Sequence, residues 1–240
     1  MKTTNVISQL ALEESVIKTM AATLEESKTA IAAEPVESRV LLRKVSWKTY
    51  ESLLEDLADC SAPRLTYDRG DLEIMSPQAK HENASKTITL FVGVISEELQ
   101  IEIQDLGSTT FKREEFERGF EADVCFYIKK ADLVRGKDRL DLPADPPPEI
   151  VFEVDITGSS LHKDSIFAQL GVPEVWRYDG ENVEILIRSG DGYRKSNVSA
   201  ALPFISTEVL ENFISEGRTL SRLEWFKKVR AWARQQSMPA

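Results

Sequence analysis

Cysteine and histidine are both scarce, with two of each among 240 residues. Cys60 and Cys125 form no CxxC pair, so neither a disulfide framework nor a cysteine-based zinc module is supported. The familiar phosphate and nucleophile motifs are missing as well. No GxGxxG or GxxxxGK[ST] run occurs, which leaves dinucleotide and P-loop chemistry without support. Gly158-Ser159-Ser160 lacks the GxSxG elbow of a serine hydrolase, and helix capping accounts for those residues. His81-Glu82 opens HENAS rather than HExxH, which disfavours a zinc protease. No apolar run approaches the ~18 residues of a membrane-spanning helix. The first residues show no basic, apolar, small-residue signal pattern, so a reducing cytoplasm is the expected compartment. Positive charge is in deficit: 30 Lys and Arg stand against 40 Asp and Glu, a formal charge of −10. That balance excludes a protein that coats nucleic acid through its overall field, while a local basic groove remains compatible with it.

What is present is an ordinary globular balance, 42% hydrophobic and 29% charged. A chain of this length buries roughly 70–75% of its unfolded surface and needs no covalent staple. Three segments are expected: a helical or partly disordered extension over 1–38, a main domain over 39–215, and a basic amphipathic helix over 216–240. Gln9 to Ala33 is rich in Ala, Glu and Leu and carries a loose helical stripe. From Val40 onward the pattern is that of a compact fold. Ser46 caps a short helix through Leu57. Arg64–Asp68 and Leu72–Met75 read as a hairpin. Ser76-Pro77 reads as the start of a helix to about Leu99, with Ala84, Ile88, Phe91, Val92, Ile95 and Leu99 on one face. Extended segments follow at 101–105, 122–128 and 149–156. A short helix from Leu161 then ends at Gly171. Strands at 175–178, 183–187 and 193–196 and two C-terminal helices complete a mixed α/β sheet domain.

The segment Glu149–Ile156 carries the most chemistry. Period-two alternation puts Glu153 and Asp155 on one face of a strand that is otherwise apolar on both sides. Carboxylates in that setting cost several kcal/mol unless paired, hydrogen-bonded or bound to a cation. A third acid, Asp123, opens another apolar strand, and Lys163 falls in the first turn of the helix after Asp155. Carboxylates converging at strand ends beside a lysine suit a hard divalent cation such as Mg²⁺. Such an ion polarises a phosphodiester and lowers the pKa of a bound water. The plainer reading has Glu153 and Asp155 facing solvent, paired with Lys163 or Arg177.

Asp123, followed thirty residues later by Glu153-Val154-Asp155, resembles the PD-(D/E)XK nuclease signature. Three longer stretches resemble the Uma-two family of bacterial restriction endonucleases, over about residues 39–215. They are Leu65–Pro77 with His81; Glu121–Tyr127; and Phe152–Thr157 through Lys163 to Gly171–Asp179. The resemblance implies a restriction-endonuclease-like core in αβββαβ order with helical extensions at both ends. It also implies hydrolysis of DNA phosphodiester bonds by metal-activated water, with Mg²⁺ as cofactor and Mn²⁺ as a substitute. Asp123 and Glu153 match the metal-binding acids, and Lys163 matches a lysine moved from the strand to the following helix. Glu73 matches an acidic position of the family, an additional ligand or a support for one; Asp155 and His81 are auxiliary. Two departures stand out: the proline of the signature is Ala122, and the lysine position in the strand is Asp155.

Other residues keep two readings each. His81 is either a helix-start surface residue or a contact of the site, and His162 is a solvated helix-start residue or a companion of Lys163. Lys112 and Arg113 either contact nucleic-acid phosphates or belong to a solvated turn. The C-terminal basic helix either docks on its own domain or a partner copy, or touches DNA. The rival to an enzyme is a catalytically inactive module of the same fold, with a binding or regulatory role near mobile elements. A third reading is an interaction protein acting through its terminal helices. The need to cut two strands motivates a homodimer.

Overall fold

A computed structural model describes residues 38–58, 62–159 and 161–236. The helix expected between Gln9 and Ala33 lies outside them. The described residues all fall in one unit, Glu37–Ala240. In chain order its first half contains β1 (Ser38–Leu42), α1 (Trp47–Asp56), β2 (Arg64–Asp68), β3 (Asp71–Ser76) and α2 (Ala79–Leu99). Next come β4 (Gln104–Gly107), β5 (Thr110–Arg113), β6 (Arg118–Glu121), β7 (Val124–Tyr127) and α3 (Ala131–Val134). The second half contains β8 (Ile150–Val154), α4 (Lys163–Gln169), β9 (Glu174–Tyr178), β10 (Val183–Ser189), β11 (Gly192–Ser196), α5 (Thr207–Thr219) and α6 (Arg222–Ala233).

The strands form two sheets. The larger has the order β11-β10-β9-β8-β7-β4, with β8 and β9 parallel and the other neighbours antiparallel. β8 is buried at all five positions, as an apolar strand covered on both faces must be. One face meets α2, α5 and α6 through Ile88, Phe91, Phe152, Trp176, Phe213 and Trp225. The other meets α4 and the second sheet through Val151, Val175, Phe167, Phe111 and Phe120. Counting only the larger sheet and the helices flanking it, α2-β4-β7-β8-α4-β9 reproduces the αβββαβ order. The molecule is a mixed α and β protein with helices at its C-terminal end.

The second sheet, β1-β3-β2-β6-β5, is wholly antiparallel. The β2–β3 hairpin turns through Arg69 and Gly70, both at positive φ, as a tight two-residue turn requires. Ser76 belongs to β3, paired with Ser38 of β1, rather than starting α2. The helix begins at Ala79 with the extended Gln78 before it; pairing with β1 prolongs the strand at the expense of the first expected turn. Strands β1, β5 and β6 complete this sheet and were not expected from the sequence. Lys112, Arg113 and Arg118 break any apolar run in β5 and β6.

Ser46 and Ser221 cap α1 and α6 as the sequence indicates, Ser221 within a full capping box with Glu224. α6 lies against α2 and α5. It buries Trp225, Val229 and Ala233 and leaves Leu223 exposed. Arg230 and Arg234 pair with Glu97 and Glu98 of α2. No helix among the described residues is long and apolar enough to cross a membrane.

Gly119 of β6 marks the closest approach of the second sheet to α1. A Cβ there would fall inside van der Waals contact of the Tyr50 hydroxyl and ring. Tyr50 is fully buried and stacked on Tyr67 at 4.9 Å, so it has little room to yield. Gly119→Ala is therefore expected to cost ~1–3 kcal/mol through overpacking, read as a lower urea midpoint with an unchanged m-value.

Candidate active site

The site starts from a register. β7 and β8 run antiparallel with Val124 opposite Phe152, so one step further brings Asp123 opposite Glu153. Alternation along both strands turns the two side chains to the face that meets α4. Asp123 and Glu153 are both buried, at 5% and 3% exposure. The Val154 N–H donates to Asp123 Oδ2 at 2.8 Å, which fixes one oxygen of that carboxylate against the neighbouring strand.

α4 begins at Lys163, and its ammonium turns back to donate to Glu153 Oε2 at 2.8 Å. Lys163 thus meets Glu153 from a helix and not from the strand. The other Glu153 oxygen, Oε1, is buried without a hydrogen-bond partner among the described residues. A desolvated carboxylate oxygen with no donor is costly, and it is the atom a cation would satisfy.

His81 sits in the first turn of α2, 1% exposed, with Nε2 3.2 Å from Asp123 Oδ2. The surface reading of His81 is therefore wrong: the approach of α2 to the sheet end buries the ring against the carboxylate. His162 does precede α4 as an exposed residue. Arg64 of β2 approaches the same acid from the other side, Nε 3.9 Å from Asp123 Oδ1, and reaches Glu82 at 3.7 Å.

These groups push one another's protons in opposite directions. Burial raises the Asp123 carboxyl, but His81, the Lys163 charge and the Val154 N–H together outweigh it and hold it below the usual aspartate range. Burial dominates at Glu153 and lifts it to about 7; Lys163 opposes that rise and the Asp123 charge adds to it. Burial alone would lower Lys163, yet Glu153 and Asp123 raise it above the usual lysine value, with Glu73 contributing. Two neighbouring carboxylates with proton affinities driven apart, beside a lysine kept charged, form a chemically differentiated cluster.

Glu73 of β3 and Asp155 at the end of β8 belong to the same neighbourhood. Glu73 is 1% exposed and accepts a hydrogen bond from Ser159 Oγ at 3.0 Å. Arg39 of β1 bridges Glu73 at 3.0 Å and Asp155 at 3.4 Å. Glu153, Asp155, Ser159, His162, Lys163 and Arg177 line a cleft of about 200 Å³. The plainer reading of Glu153 holds for its pairing with Lys163 and fails for its exposure, because the pair is turned away from solvent.

Lys112 and Arg113 are not brought to the cleft. They lie on β5, ion-paired with Glu51 and Glu115 respectively. Among the described residues no group of three or more His, Cys, Asp or Glu side chains is arranged to hold a metal ion. Two facing carboxylates do suit Mg²⁺, which binds through one or two carboxylates and completes its shell with water and phosphate oxygens. Arg39, Arg64, Thr157 and Ser159 escaped the sequence reading. The Gly-Ser-Ser turn there was assigned to helix capping, whereas α4 starts only at Lys163 and the Ser159 hydroxyl serves Glu73.

Because the folded Asp123 carboxyl is depressed, its stabilising contribution is present above the ordinary aspartate pKa and disappears as pH falls through the folded value. His81→Ala removes a source of that depression. The variant is expected to lose ~1–3 kcal/mol at neutral pH. Its acid-unfolding midpoint should also move to higher pH, followed by circular dichroism.

With this geometry in place, the comparisons with known proteins bear on the same stretch of chain. A family model described as "Uma2: Putative restriction endonuclease" matches residues 47–221. No curated protein matches the chain. One solved structure similar to it is described as "a putative nuclease belonging to DUF820" from Anabaena variabilis, with 13% identity and a TM-score of 0.48. That match covers 71% of this chain and 99% of the other. The family match takes in Glu73, His81, Asp123, Glu153, Asp155 and Lys163 and spans most of the molecule, and the chain belongs to the Uma2 family of nuclease-like proteins.

Proposed function

We propose that this protein is a divalent-metal-dependent endonuclease that hydrolyses phosphodiester bonds of DNA. The observation that carries the proposal is the cluster of buried Asp123 and Glu153 with Lys163, in which Glu153 Oε1 has no hydrogen-bond donor among the described residues at a cleft. Asp123 and Glu153 would hold Mg²⁺, or Mn²⁺ in its place. The ion, when bound, would supply Lewis-acid polarisation of the phosphodiester and a lowered pKa for the attacking water.

The chain's own residues do the rest. Val154 and His81 fix the Asp123 carboxylate in orientation, so little reorganisation is needed at the moment of reaction. Lys163 stays protonated and sits at the rim shared by Glu153 and the cleft. There its ammonium orients a water or takes up charge on a phosphate oxygen. Arg177, beside Glu153 in the parallel register of β8 and β9, lines the same cleft paired with Asp164, and would have to exchange that acid for a phosphate to contact the backbone. Lys112 and Arg113 would contact the nucleic acid outside the cleft, and a pair of chains would cut both strands.

The catalytically inactive module of the same fold is favoured less. The net charge of −10 and the absence of a lysine in the strand speak for it, but Lys163 reaches Glu153 from α4 instead. Supercoiled plasmid with Mg²⁺, Mn²⁺ or EDTA decides between them. Metal-dependent nicking is expected for the natural chain. Asp123→Asn and Glu153→Gln should each lower it by at least about 10²-fold with circular dichroism unchanged, and Lys163→Ala by about 10²-fold, a typical loss on removing one charge-stabilising group. Full activity in both carboxylate variants would remove the assignment.

A further inference from the structure

Glu73 and Asp155, the other two acids beside the cleft, already share a cation. The Arg39 guanidinium donates to Glu73 Oε1 at 3.0 Å and to Asp155 Oδ1 at 3.4 Å, while its Nε donates to Thr157 Oγ1 at 3.2 Å. Its side chain is 9% exposed and that of Glu73 1%. Ser159 Oγ adds donor contacts to both Glu73 oxygens, at 3.0 and 3.3 Å.

The Asp123–Glu153 pair is compensated differently. Arg64 Nε stays 3.9 Å from Asp123 Oδ1, beyond hydrogen-bond distance. Lys163 engages one oxygen of Glu153, and the other is buried without a donor among the described residues. One acid pair is thus closed by a planar, permanently charged fork, and the other retains an oxygen that no donor among the described residues satisfies. A guanidinium remains protonated at any working pH and matches carboxylates with several fixed donors. Mg²⁺ demands near-octahedral oxygen geometry and gives up its waters reluctantly. It has little to gain by expelling a buried arginine.

We propose that Arg39 is the built-in second cation of this site, holding the place between Glu73 and Asp155 so that the chain takes one divalent ion, at Asp123 and Glu153. The proposal rests on the reading of those two acids as the metal-holding pair. It makes Arg39 a positioning residue: it neutralises and fixes the acid pair beside the cleft without itself touching the reacting atoms.

The test counts Mn²⁺ ions bound per chain, by titration calorimetry and by loss of the free-ion EPR signal, in the full-length protein and its variants. One ion is expected in the natural chain. One is also expected in Glu73→Gln, with affinity changed by less than about threefold, because Glu73 contributes no ligand. Two are expected in Arg39→Gln, the extra ion vanishing in the double variant Arg39→Gln/Glu73→Gln. Two ions in the natural chain, one of them lost in Glu73→Gln, would overturn the proposal. That comparison needs no Arg39 variant, so it decides even if Arg39→Gln fails to fold. A folded Arg39→Gln that binds a single ion overturns it too. No ion in the natural chain but one in Arg39→Gln would support the role of Arg39 and sink the Asp123–Glu153 reading instead. No ion in either sinks both.

Discussion

Glu153 is a carboxylate in the middle of an apolar strand, and much of the surrounding architecture answers the cost of burying it. Taking an ionised carboxylate out of water costs several kcal/mol even after relaxation. The fold meets part of that cost with the Lys163 ammonium at 2.8 Å and part by letting the carboxyl keep its proton up to about 7. What is left falls on Oε1, which has no donor among the described residues. Lys163 reaches Glu153 only because the chain turns immediately after β8 and starts α4 at the lysine itself. Phe167 and Ile166, on the same short helix, anchor it in the apolar layer between the two sheets. The ion pair and the hydrophobic layer are therefore one construction: loosening the packing of α4 would also withdraw the charge that makes Glu153 tolerable.

Asp123, one strand away, shows how position alone differentiates two acids. Both are buried, and burial pushes both carboxyls up. Asp123 stops at the strand end, where a backbone N–H and the His81 ring are available. Glu153 lies within β8, where the adjacent Val154 N–H goes to Asp123 instead, and Lys163 donates to one of its oxygens. The same residue chemistry thus yields one carboxylate held ionised and one that holds its proton.

The sequence exposed the parts of this arrangement that depend on periodicity and missed those that depend on partners distant along the chain. The long helix, the two extended segments bearing Asp123 and Glu153, and the short helix that carries Lys163 all follow from apolar spacing, caps and glycine stops. β5 and β6 did not, because four-residue strands carrying Lys112, Arg113 and Arg118 have no apolar alternation to read. Their pairing is imposed by β2 and by Phe111 and Phe120 packing on Phe167. His81 was ambiguous because its burial comes from how α2 meets the end of the sheet, which no local pattern encodes. Arg39 and Ser159 were invisible for the same reason: each serves an acid far off in sequence, and neither stands in a motif.

Arg39 lies on β1, the edge strand of the smaller sheet, yet its partners Asp155 and Thr157 follow the central strand of the larger one, 116 and 118 positions later. Contacts of such separation demand that a long loop close before they return any free energy. The charge cluster is consequently a late product of folding, complete only once both sheets exist and have met. An emerging or partly opened chain, however much of its helix and hairpin structure it has formed, lacks the finished site. Any chemistry the cleft performs is thereby restricted to the fully assembled molecule.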